Sequence, residues 1–77
     1  MQIKDLYINP RNVVTIVPYC GDYEVGLAIN GIRYTLEKWD GLITDPKYKK
    51  WQEKSLEKAT ECQKQLIEEI KNENMVL

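Results

Sequence analysis

Few residues in this chain can do chemistry, and their types narrow the options quickly. There is no histidine, and Ser55 is the single serine. A Ser-His or Cys-His nucleophile pair is impossible within one chain, because neither hydroxyl nor thiol has an imidazole to take its proton. Cys20 and Cys62 are distant in sequence, and a zinc site would need further donors beside them. Carboxylates at Asp22, Glu24, Asp40 and Asp45 are the other candidates, as ligands for a hard cation or as an acid–base pair. Turn chemistry accounts for Asp22 and helix capping for Asp45 without either role. The reading is a non-enzymatic chain with no catalytic residue, metal or cofactor.

One local cluster pairs positive charge with aromatic rings. Lys47, Lys49, Lys50 and Lys54 interleave with Tyr48 and Trp51. Such a run can grip phosphates while a ring stacks on a base. Lysines in a first helical turn also oppose the helix dipole, at about a few tenths of a kcal/mol each. Against this, Glu53, Glu57 and Glu61 run beside Lys50, Lys54 and Lys58 and neutralise them at i,i+3 spacing. The same aromatics also begin an apolar helix stripe. A small nucleic-acid-binding regulator is therefore the alternative, and protein binding the leading expectation. All seven aromatics are Tyr or Trp, residues enriched at binding surfaces. Tyr19 and Tyr23, flanking Cys20 in what reads as an exposed turn, are the candidate contact on the sheet side.

Charge and length point the same way. Eleven basic residues nearly cancel twelve acidic ones, unlike a nucleic-acid coat or an acidic decoy. Nine of the eleven are lysine, a bias matching AT-rich bacterial or phage genomes. At 77 residues the chain reads as one domain, 1–77, that buries only ~60–65% of its unfolded surface. Lys4 and Asp5 stand where a secretory apolar core would begin, and no apolar run nears the ~18 residues of a membrane span. The expectation is a cytoplasmic protein with reduced cysteines and no membrane contact.

The elements that must position these residues fall into two unequal halves. Residues 1–36 read as a small antiparallel β-meander of three or four strands, 37–45 as a connector and 46–74 as one long helix, an α+β fold. Leu6 and Ile8 precede the turn at Asn9-Pro10. Residues 13–17 form a strand that Pro18 ends, because proline gives no N–H to a ladder. Asn30-Gly31 between two alternating runs is a two-residue hairpin of type I′. It pairs Ile29 with Ile32, Leu27 with Tyr34 and Val25 with Leu36. Asp45 followed by Pro46 is a helix start. Tyr48, Trp51, Ser55, Ala59, Cys62, Leu66 and Ile70 then recur at steps of three and four, a stripe on one face widened by Leu56 and Ile67.

The two lengths do not match. A helix of ~29 residues spans about 44 Å and a strand of ~6 residues about 20 Å. The stripe is small in its middle and large and apolar at its end. This predicts an apolar overhang, and self-association through Ala59, Cys62, Leu66, Ile67 and Ile70, most simply as a two-fold homodimer.

Residues 8–36 carry a further signal: Ile8-Asn9-Pro10, then Val13, Val14 and Ile16, Gly21-Asp22, and Val25, Leu27, Ile29-Asn30-Gly31, Tyr34 and Leu36. This cassette resembles the β-meander of the flagellar FlbD-like proteins and related small phage and Gram-positive proteins. The resemblance implies a small, non-enzymatic, intracellular accessory module and brings no catalytic residues. The expected function is a protein-binding module, a phage- or mobile-element-type inhibitor or regulator of a host protein such as an anti-defence or anti-CRISPR factor.

Overall fold

The computed structural model describes residues 2–75 other than Lys4. Its architecture is α+β: two antiparallel sheets followed by one long C-terminal helix. Strands β1 (Gln2–Ile3) and β2 (Leu6–Tyr7) pair as a short ribbon. A 3-10 turn at Pro10–Asn12 follows, started by Asn9, whose side chain accepts from the Arg11 N–H at 3.0 Å. The meander proper is β3 (Ile16–Cys20), β4 (Glu24–Ile29) and β5 (Ile32–Lys38), in that order across the sheet. Helix α1 runs from Tyr48 to Met75. Among the described residues no helix is long and apolar enough to cross a membrane.

The hairpin turn forms as its residue types require, with φ of +53° at Asn30 and +82° at Gly31. Ile29 pairs with Ile32 and Leu27 with Tyr34, but Val25 opposes Glu37, not Leu36, because a bulge interrupts the register between Val25 and Gly26. Gly26 is needed beside that irregularity, since a Cβ there would sit 2.0 Å from the Tyr34 carbonyl oxygen. Other expectations are corrected. Pro18 lies inside β3 and does not end it, because β3 is an edge strand whose outer side has no ladder to supply. The strand also begins at Ile16, not at Val13; the meander has three strands, and Leu6 lies in the separate ribbon.

The core is one cluster. Val25, Leu27 and Ile29 of β4 are sealed beneath Ala59 and Leu66 of the helix, with Ile3 joining from β1. Tyr48 and Ser55 are buried on the same helix face. The Tyr48 hydroxyl donates to the Asp22 carbonyl at 2.6 Å, Gln63 Nε2 to the Ile16 carbonyl at 2.8 Å, and Arg11 Nε stands 3.7 Å from Glu73 Oε1. These contacts order the helix along the molecule. Residues 52–63 run beside β3, and the helix also packs against the 3-10 turn, where Glu73 meets Arg11.

That placement accounts for the surplus helix length. Twenty-eight residues rise about 42 Å, and the molecule is 51 Å long and 19 Å wide. The segment before β3 lengthens the platform, so Leu66 is 4% exposed and Ile70 is half-buried within a single chain.

Candidate functional site

The lysine-aromatic cluster at the helix start divides into two layers. Trp39, Tyr48 and Trp51 pack as three rings with centroids 5.4–5.8 Å apart. Trp51 is thereby committed to its neighbours, not presented as a platform for a base. Lys47, Lys49, Lys50 and Lys54 are all exposed around it. The helix has no acidic residue in its first turn, so Asp45 just before it is the nearest carboxylate to offset these lysines against the dipole. The helix begins at Tyr48, two residues later than expected, and Asp45 lies in the turn before it, its carboxylate accepting from the Lys47 N–H at 2.8 Å.

The connector between β5 and the helix presents its apolar residues outward. The Leu42 carbonyl accepts from Trp39 Nε1 at 3.1 Å and from the Asp45 N–H at 3.1 Å. Trp39 also lies close over Gly41, where an added Cβ would meet the indole nitrogen at 3.3 Å. The backbone is therefore braced, yet Leu42 is 73% and Ile43 41% exposed. Tyr23 joins this end of the molecule, because its carbonyl accepts from the Trp39 N–H at 2.7 Å, and its side chain is 53% exposed. An apolar pair between Gly41 and Thr44 was the only sign in the sequence, and its direction was not legible there.

Tyr19 is placed differently from expectation. It lies in β3, not in a turn, on the sheet face away from the helix. Its hydroxyl and the Thr35 hydroxyl are 2.8 Å apart, spanning Gly26 of the strand between, and Thr35 Oγ1 donates to Glu24 Oε2 at 2.9 Å. The Arg33 guanidinium sits 5.4 Å from the Tyr19 ring centre. This face is a connected polar network across all three strands. Cys20 remains exposed, and its Sγ accepts from Gln52 Nε2 at 3.0 Å.

The five helix residues expected to carry a dimer also divide. Ala59 and Leu66 are closed inside the chain's own core and cannot meet a second copy while the fold is intact. Cys62, Ile67 and Ile70 are half-buried at its margin. Burial pushes the Cys62 thiol above its ordinary value of 9.0, which favours its protonated form. Two open depressions, of about 560 and 520 Å³, follow the outer flanks of the helix. Glu53, Leu56 and Thr60 line the first, Lys54, Lys58 and Cys62 the second, both between long solvated side chains.

No family model, no curated protein and no solved structure matched the chain.

Proposed function

We propose that this chain is a non-enzymatic protein-binding module acting in the cytoplasm as a small inhibitor or regulator of a larger host protein, of the phage or mobile-element type. The observation that carries the reading is the connector tip. A loop that only joined β5 to the helix has no need of two adjacent apolar side chains in water. This one is hydrogen-bonded into a fixed shape and holds Leu42 and Ile43 in solvent. Rigid apolar side chains in the open are what a partner's pocket can take up at little entropic cost. Tyr23 beside the tip adds an aromatic contact. The exposed Lys47, Lys49 and Lys50 suit a pocket rimmed by acidic groups. The absence of histidine, the small size and the resemblance of residues 8–36 to accessory modules support the same reading.

The test is affinity capture from host lysate with the wild-type chain and with Leu42→Asp/Ile43→Asp. Both side chains are exposed, so the double variant should keep its circular dichroism. The wild type should retain one protein at stoichiometric amount that the variant loses. Equal retention by both would sink the reading. A mobility-shift titration with nucleic acid at low salt should show no complex. A salt-sensitive shift abolished by Lys49→Glu/Lys50→Glu would replace this function with that of a nucleic-acid-binding regulator.

A further inference from the structure

The meander has two edges, and the chain treats them differently. The centre of β3 is Pro18, which has no N–H, and the Ile16 carbonyl is taken by Gln63 of the helix. That edge is closed to an added strand. Strand β5 has seven residues, no proline, and no strand on its outer side among the described residues. Ile29 and Ile32 close the two-residue turn as a hydrogen-bonded pair. Alternation then aims the backbone of Ile32 and Tyr34 at β4 and that of Arg33 and Thr35 outward. The helix lies mainly over β3 and β4. Its side of β5 is thus incompletely covered, with Ile32 59% exposed and Tyr34 and Leu36 half-buried.

We propose that this edge pairs with the same edge of a second copy, antiparallel about a two-fold axis at Tyr34, joining two three-stranded sheets into one of six strands. The register follows from elimination. An axis at Arg33 would set Arg33 against Arg33, like charges directly opposed. An axis at Thr35 would set Arg33 opposite Glu37, beyond the bulge that interrupts the ladder. An axis at Tyr34 makes Arg33 and Thr35 the hydrogen-bonded partners, the two residues whose backbone groups face out. It also lays Ile32 against Leu36 of the other copy on the helix side, covering the bare strip. On the opposite face each Arg33 arrives beside the other copy's Thr35, whose hydroxyl already donates to Glu24. Among the described residues no ion pair joins Arg33 or Glu24 to an opposite charge within the chain, so the pairing supplies each with one, twice over.

Sedimentation equilibrium of the full chain over a concentration series tests this. The wild type should approach twice its 9.1 kDa. Arg33→Pro removes one outward N–H, installing on β5 the device that Pro18 already supplies on β3, and should hold the chain at monomer mass with unchanged circular dichroism. Ile32→Lys, on a side chain already exposed, does the same without touching the backbone and carries the test if the proline variant fails to fold. Leu42→Asp/Ile43→Asp should leave the mass at the dimer value, so this inference and the proposed function fail separately. A wild type that stays monomeric at every concentration would overturn the pairing and leave the edge for a strand of another protein. A dimer that survives both β5 variants, or that Ile67→Glu alone dissolves, would overturn it equally.

Discussion

Asn30 illustrates how much one side chain can carry beyond its local role. Its left-handed backbone suits the hairpin, while its Oδ1 accepts from the N–H groups of Val14 and Thr15 at 2.7 and 3.1 Å. Its Nδ2 donates to the Asn12 carbonyl at 2.7 Å. Asn30→Gly keeps the φ but loses all three bonds, and is expected to lower unfolding free energy by about 1–3 kcal/mol in urea titration. Tyr48 makes a second such case. Burial, and after it the charges of Asp22, Cys20 and Tyr23, push its phenol above the ordinary 10.0. The Cys62 thiol is raised in the same direction by burial alone. For both groups the neutral form is the one the fold favours. Their contribution is complete below the ordinary values of 9.0 and 10.0 and is lost as pH rises through the folded values. The urea midpoint should therefore fall above pH ~9, and Cys62→Ala/Tyr48→Phe should flatten that decline. An unchanged alkaline slope in the double variant would contradict the assignment.

At the scale of elements, the sheet depends on its one glycine among close-packed backbone. Gly26→Ala would drive a methyl into the Tyr34 carbonyl, a backbone atom that cannot step aside without parting β4 from β5. The expected result is loss of cooperative unfolding, read by thermal melting. The helix makes the complementary prediction. Leu66→Ala should cost about 2–5 kcal/mol, because the residue sits in the core cluster with Ile3 and Leu27. Ile67→Ala, half-buried at the margin, should cost less than half as much. A charged substitution at Leu66 consequently reports on folding and not on association. The strand pattern of β4 and β5 was legible because alternation and Asn-Gly agree. Pro18 was misread because its meaning depends on whether β3 is an edge, which no local signal encodes.

For the whole molecule, the decisive relation is between the helix and the segment before β3. Ile3 is 3% exposed although β1 has only two residues. It is buried in the same cluster as Leu66 of the helix and Val25, Leu27 and Ile29 of β4. Ile3→Asp should therefore destabilise the entire chain by several kcal/mol, about as much as a charge placed in any closed core. Equal melting temperatures for this variant and the wild type would show that the ribbon is not part of the cooperative unit. The same relation leaves the connector tip at one end and the β5 edge along one side outside the core, the two surfaces on which the proposed contacts rest.

By itself the sequence determined the fold class, the hairpin with its turn, the stripe that seals the helix to β4, and the lack of an imidazole for catalysis. Each of these follows from residue type and from spacing within one element, where the physics is local. Tertiary structure decided where the surplus helix length goes, which edge of the sheet is open, and that Leu42 and Ile43 face water. Those depend on which distant segments share a face. Neither the periodicity of the helix nor the brevity of β1 says that Leu66 and Ile3 share one core, and only their packing decided it.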